Sequence, residues 1–381
     1  MTGKVPLRVA LLTNFIPPYF LPVLQNLSHS VGELRVFLST RMEANRSWMP
    51  AWDGLQVTVQ RGVTIRRRWK HKEGFSDQVF VHLPVDTLAL LRNYRPDVVV
   101  SAGLGLRTLL ACLYRHANPR TRLVGWINCS EHTEIGVSKL RSALRRSLLR
   151  SPDTVLTNGP SGSRYLQSLG VQPSEIVCLP YVRDMSSLLS IAEGRDELAS
   201  RRLLFVGQLT ERKGMQHFVP ALIRWQRQNQ QRALECWIVG DGPLKEELRR
   251  MAAAGALDVK FLGHIDFAQL PSVYAQAGLL VFPTLADEWG LVVNEALAAG
   301  LPVLGSRFSQ AVEELVQEAR NGWIFSPDQP KQLDAVLDRA LSCPPANLLR
   351  MRQAARLSVL HLTPELAAGR MLDAIQMALS N

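Results

Sequence analysis

Hydrophobic positions in this chain fall into short β-branched runs that alternate, from one end to the other, with longer segments whose apolar residues recur at helical spacing. That alternation predicts βαβ units and parallel sheets. In the first half the strand candidates are residues 7–13, 34–38, 97–101, 123–127, 154–157 and 176–179. In the second they are 203–206, 233–239, 259–262, 278–282 and 302–305. Each set suffices for one doubly wound sheet. The division falls near Leu179-Pro180-Tyr181-Val182, where a strand ends in a proline and a polar, helix-prone stretch, 183–201, leads on. The expected organisation is a domain over 1–182, a second over 183–363, and a last amphipathic helix over 364–381 with Pro364 at its first position. In sheets of this kind ligands bind at the carboxyl ends of the strands.

Composition agrees with two globular domains. The chain has 381 residues, 46% of them hydrophobic and 20% charged, which excludes a disordered chain and a disulfide-stapled miniprotein. The five cysteines (Cys112, Cys129, Cys178, Cys236, Cys343) are odd in number, far apart and never spaced as CxxC, as suits a reducing cytoplasm. The apolar run after Lys4 and Arg8 stops at Thr13, too short for a secretory signal. Two uncharged stretches, 9–32 and 267–286, are broken by Pro17, Pro18 and Pro22 and by Pro271, Gly278 and Pro283. They read as strand, turn and helix rather than as membrane spans. The expectation is a cytoplasmic, soluble chain that can sit on the cytoplasmic face of a membrane.

Charge is lopsided. The formal net charge is +11, and residues 1–185 carry 24 Lys+Arg against 12 Asp+Glu, leaving the second half near neutral. Two clusters concentrate it: Arg66-Arg67-Arg68-Trp69-Lys70-His71-Lys72, read as a loop, and the helix over 137–150. There Val137, Leu140, Leu144 and Leu148 share one face, while Lys139, Arg141, Arg145, Arg146 and Arg150 occupy the other. Such a half favours an anionic partner: acidic lipid headgroups or a pyrophosphate-linked lipid acceptor. Nucleic acid is disfavoured, because no helix-turn-helix, zinc-finger or RNA-recognition signature is present.

The residues that carry chemistry lie in the neutral half. After the apolar run Leu279-Leu280-Val281-Phe282 comes Asp287-Glu288-Trp289-Gly290-Leu291-Val292, then Glu295 inside an otherwise small and apolar helix, then Gly300-Leu301-Pro302. The amides of Gly290, Leu291 and Val292 at a helix start attract phosphate. Glu295, about a turn and a half further on, is a carboxylate that needs a partner if buried and is within reach of a sugar hydroxyl. Asp287 and Glu288 read equally well as first-turn acids that stabilise the helix. A second loop, Gly207-Gln208-Leu209-Thr210-Glu211-Arg212-Lys213-Gly214, holds an ammonium over a strand end beside a new helix, an arrangement suited to a diphosphate. The third, Gly240-Asp241-Gly242-Pro243, is a strand-to-helix turn.

These segments, in this order and spacing, resemble family 4 of the nucleotide-sugar glycosyltransferases. The resemblance covers the second half closely and the first half loosely. It implies an α/β GT-B fold: two facing Rossmann-like doubly wound domains, acceptor in the first and nucleotide-sugar donor in the second, with the C-terminal helix packing back on the first. It also implies a retaining, metal-independent sugar transfer from a nucleoside-diphosphate sugar to a glycan or lipid-linked acceptor, in cell-surface polysaccharide or glycolipid synthesis. The donor is then a substrate, of UDP or GDP type, and no cofactor or metal is required; the chain has no Asp-x-Asp triplet of the metal-dependent kind. The family's acid, seven residues and Glu fall on Asp287 and Glu295, which would contact the donor sugar and the ribose. Lys213 would hold the diphosphate, with Gly207, Gln208, Arg212, Gly240, Gly242, Glu288, Gly290, Leu291 and Val292 around the donor. The alternatives are a GT-B epimerase or phosphorylase, and a non-catalytic nucleotide-sugar or membrane-binding homologue.

Three departures stand out. Asp287 replaces the family's usual Glu, with Glu288 beside it, and Gln208 replaces its usual arginine, leaving Arg212 to supply a second cation. The family's Gly-Gly loop after the first strand is here Thr13-Asn14-Phe15-Ile16-Pro17-Pro18-Tyr19-Phe20. In the segment 126–132, His132 stands where relatives often carry a functional histidine, and a solvated or structural His is the plain alternative.

Overall fold

The computed structural model describes residues 4–44, 46, 52–72, 74–192, 195, 199, 201–232 and 234–380. The chain divides into two compact units, one built from 1–69, 78–184 and 362–381, the other from 70–77 and 185–361.

In the first unit the sheet strands are β1 (Val5–Thr13), β2 (Val31–Leu38) and β3 (Gln56–Val59), then β6 (Val98–Ala102), β7 (Arg122–Ile127), β8 (Thr154–Thr157) and β9 (Ile176–Cys178); the intervening β4 (Gly62–Lys70) and β5 (Ser76–Pro84) form a separate two-stranded hairpin. The sheet order is β3-β2-β1-β6-β7-β8-β9, and every pairing is parallel. Helices α1 (Leu21–Ser30), α2 (Thr87–Tyr94), α3 (Leu106–Ala117), α4 (Lys139–Leu149) and α5 (Pro160–Ser168) connect the strands. A parallel strand covered on both faces reads as a continuous apolar run, and Val9, Ala10, Leu11 and Leu12 of β1 are all fully buried.

The second sheet runs β12-β11-β10-β13-β14-β15, again all parallel, from β10 (Leu203–Val206), β11 (Glu235–Val239), β12 (Asp258–Gly263), β13 (Leu279–Phe282), β14 (Val303–Ser306) and β15 (Gly322–Phe325). Helices α6 (Met215–Gln228) and α7 (Leu291–Ala298) follow β10 and β13. The core gathers Phe205, Phe218, Trp225 and Leu279 with Trp323 and Leu337. The stretch 183–201 contributes a helical turn, Ser186–Leu189, Ala199 and Arg201 are helical too, and part of the remainder lies outside the described residues.

The last helix, α8 (Pro364–Ser380), belongs to the first unit, where it packs on α1 and on β7, β8 and β9. Ala367, Met371, Ala374, Ile375 and Ala378, which recur on one side of the helix, are fully buried, so a single apolar stripe docks it. The C-terminal helix thus returns to the N-terminal sheet, as expected. No helix among the described residues is long and apolar enough to cross a membrane. The Arg66–Lys72 cluster differs from expectation: Arg66, Arg67, Arg68 and Lys70 stand exposed along strand β4, not in a loop.

Candidate active site

Strand order places the site. In the second sheet the chain leaves β10 toward β11 on one side and leaves β13 toward β14 on the other, so winding reverses between the neighbours β10 and β13. Such a reversal, at the carboxyl ends of the strands, is the usual ligand position in sheets of this kind. The two loops that leave those ends, 207–214 and 283–290, carry Lys213 and Asp287.

The loops are tied together by backbone. Leu285 N donates to Arg212 O at 2.8 Å and Thr284 Oγ1 donates to the same carbonyl at 3.1 Å. Residues 211–213 form a single 3₁₀ turn that ends at Gly214, whose φ of +76° is left-handed; a Cβ there would lie 1.9 Å from Pro283 O. Only glycine lets the turn press against the β13 loop. Asp287 is fixed from the other side, its amide donating to Phe308 O at 3.0 Å, while Gln310 Nε2 donates to Glu288 O at 2.6 Å.

The structure brings Lys213 and Asp287 into a salt bridge, and Lys213 Nζ also lies 5.1 Å from the Phe282 ring centroid. Arg212 reaches Asp287 Oδ2 at 3.5 Å but is held chiefly by Asp77 at 2.8 Å and by Ala286 O at 3.1 Å. Burial pushes the Asp287 carboxyl up, yet Lys213 and Arg212 outweigh burial and hold it below its ordinary value. For Arg212, burial works against the charge and the carboxylates of Asp287 and Asp77 overcome it. The cluster is therefore ionised and nearly charge-balanced. Arg212 is anchored by two carboxylates, so Lys213, on a flexible stem, is the cation that an incoming phosphate can share.

Glu295 lies on α7, 4% exposed, and accepts a hydrogen bond from Tyr274 Oη at 2.8 Å. Trp289 is fully buried and donates through Nε1 to Asn294 Oδ1 at 2.9 Å, fixing the entry to α7. Gly290 precedes that helix and Leu291 and Val292 open it, half-buried, with first-turn amides that have no intrahelical acceptor. Glu288 and Gln208 are exposed at the two loops. Gly240 and Gly242 have a packing reason: a Cβ on Gly240 would meet Gly207 O at 2.0 Å and one on Gly242 would meet Leu209 O at 2.5 Å, so they let the β11 loop cross the Gly207–Leu209 backbone closely.

His132 belongs to the first unit, in the turn after β7. Its turn is pinned by Cys129 N to Asn158 Oδ1 at 3.1 Å and by Glu131 N to Ser161 Oγ at 2.9 Å. In the loop after β1, Phe20 stacks on Trp126 with centroids 4.8 Å apart, and the rings of Tyr19 and Tyr181 lie 6.2 Å apart.

Sequence reasoning missed Asp77, Tyr274 and Arg107. Arg107 stands at the first unit's own reversal, between β1 and β6, donating to Asn14 Oδ1 at 2.9 Å, Ser39 Oγ at 2.7 Å and Ala102 O at 2.8 Å. Burial lowers its guanidinium to about 10. A single arginine among leucines carries no signal of burial; the sheet order does.

With two Rossmann-like parallel-sheet units, and the paired charges of Lys213, Arg212 and Asp287 where the second sheet reverses, the chain has the GT-B fold. Residues 200–343 match the family model described as "Glycosyl transferases group 1". Among curated proteins it is similar to an uncharacterized glycosyltransferase of Methanocaldococcus jannaschii, 28% identical over 45% of this chain and 43% of that one. It is also similar to the glycogen synthase of Mycobacterium tuberculosis, 27% identical over 69% of this chain and 64% of that one. The chain thus spans between about two fifths and two thirds of the length of these relatives. Among solved structures, Anabaena HepE in complex with UDP superposes with a TM-score of 0.73 at 16% identity, covering 97% of this chain and 99% of that one.

Proposed function

We propose that this protein is a retaining, metal-independent glycosyltransferase of family 4, moving a sugar from a nucleoside-diphosphate sugar to a glycan or lipid-linked acceptor in cell-surface polysaccharide or glycolipid synthesis. The observation that carries this is the meeting of Lys213 and Asp287 where the second sheet reverses, one helix start away from buried Glu295. The family match over 200–343 and the likeness to a UDP complex support a donor site in this unit. The acceptor is assigned to the first unit and, with its surplus charge, so is contact with an anionic membrane at the cytoplasmic face.

The chemistry follows from charge. Breaking the bond between the sugar and the diphosphate builds positive charge on the sugar and negative charge on the leaving phosphate. Lys213 and the first-turn amides of α7 take up the negative charge, a kind of stabilisation worth several kcal/mol where water is excluded. Asp287 keeps Lys213 in place before the donor arrives and then faces the electron-poor sugar. Glu295, already oriented by Tyr274, accepts hydrogen bonds from the ribose hydroxyls. For attack on the same face as departure, the leaving phosphate itself receives the acceptor's proton, so neither His132 nor any other side chain is required as general base.

The test is release of nucleoside diphosphate together with a glycosylated product, measured in the presence of a chelator. Glu295→Ala is expected to raise the donor KM about tenfold or more, the cost of losing a charged acceptor of hydrogen bonds, with a smaller change in kcat. An unchanged KM in that variant removes Glu295 from the donor site.

A further inference from the structure

Helix α4 is mounted the wrong way round for a surface helix. Amphipathic helices bury their apolar stripe, yet Leu140 and Leu144 are 73% and 59% exposed, whereas Arg145 on the same helix is only 8% exposed. The roll of the helix is fixed. Arg145 is clamped inward by the Glu134 carboxylate and the Tyr165 hydroxyl, and Leu149, one turn later, sits in the core with Val155, Leu166 and Leu169. Turning the leucines inward would require breaking that ion pair and emptying that core position.

At about 100° per residue, the outward surface of α4 has two flanks. Leu140 and Leu144 form one, Lys139, Arg146 and Arg150 form the other, and Ala143 and Ser147 lie between; all seven are exposed. No acidic residue occurs from 139 to 150. The neighbouring α3, packed beside α4, exposes Leu109 and Leu113 at 43% and 52%. Leucines standing in water on two adjacent helices, next to a row of cations with Glu175 at its far edge by Arg146 and Arg150, form a surface that matches an interface with an apolar interior and an anionic rim.

We propose that the α3–α4 face of the first unit lies on an anionic lipid bilayer, with Leu140 and Leu144 entering the acyl boundary and Lys139, Arg146 and Arg150 at the headgroup phosphates. This rests on the reading of an anionic membrane as a partner and assigns it a place. The Arg66–Arg68 cluster on β4 is the rival location, and a second copy of this chain is the rival occupant.

Co-sedimentation of the full chain with phosphatidylcholine vesicles containing phosphatidylglycerol, at low and high salt, separates these. Wild type is expected to bind, more weakly at high salt. Leu140→Ser with Leu144→Ser is expected to reduce partitioning about tenfold or more at either salt. Lys139→Gln with Arg146→Gln and Arg150→Gln is expected to reduce it at low salt and flatten the salt dependence. All five positions are exposed, and circular dichroism with a thermal melt shows whether each variant is folded. Loss of binding only in Arg66→Gln with Arg67→Gln and Arg68→Gln overturns the α4 assignment and leaves the membrane reading standing. Failure of wild type to bind at low salt removes both. A wild-type dimer in analytical ultracentrifugation that becomes monomeric in the leucine variant, without vesicles, assigns the face to a second copy instead.

Discussion

Lys213→Ala is expected to lower the proposed sugar transfer by about 10² to 10³-fold while the protein stays folded. The size follows from what removing one preorganised donor to a developing negative charge costs, about 3 to 4 kcal/mol. The position has no substitute. Arg212, the adjacent cation, is fastened by Asp77, Asp287 and Ala286 O, and swinging it to the diphosphate would abandon those partners. Gln208, on the same loop, brings no charge. The loss should appear in kcat as well as kcat/KM, because the leaving group carries more charge in the transition state than in the bound donor. Steady-state release of nucleoside diphosphate measures it, and turnover within about twofold of wild type would remove Lys213 from the reaction.

The second large effect is on the fold. Gly214→Ala is expected to destabilise the protein by about 2 to 6 kcal/mol, the sum of a left-handed backbone forced on alanine and an overlap with a backbone carbonyl that cannot rotate away. The added carbon would lie 1.9 Å from Pro283 O, so the 207–214 loop must lift from the 283–290 loop, parting Lys213 from Asp287. Denaturant unfolding reads the stability and the transfer assay reads the separation. A variant as stable and as active as wild type would mean that these loops do not need their close contact.

Much of this architecture is legible in the residues because buried parallel strands are continuous apolar runs. Strands 154–157 and 203–206 coincide with their expected limits. Strands β3, β4, β5 and β15 were not legible, for two reasons. β4 is exposed along almost its whole length, so Arg66, Arg67 and Arg68 break the alternation that marks a half-buried strand. β15 is four residues long and opens on a glycine, which sequence reasoning treats as punctuation.

The candidate site was legible as residue types and spacing: Lys213, Asp287 and Glu295 stand on strand-end loops and the helix that follows. Their partners were not. Asp77 meets Arg212 from a hairpin tip far away in sequence, and Tyr274 meets Glu295 from a six-residue helix, so both pairings depend on tertiary structure. The helix over 139–149 shows the same limit more sharply. Its leucine stripe and its arginines are plain in the sequence, but which of them faces the core was decided by Glu134, Tyr165 and the packing of Leu149.

On this reading the second unit holds a sugar nucleotide with its diphosphate at Lys213 and its ribose at Glu295. Titration calorimetry with UDP, GDP and ADP on wild type, Lys213→Ala and Glu295→Ala tests it most directly. The prediction is one-to-one binding of one of these nucleotides to wild type, weakened about tenfold or more in each variant. Equal binding in all three proteins, or no nucleotide binding to the folded wild type, would contradict it.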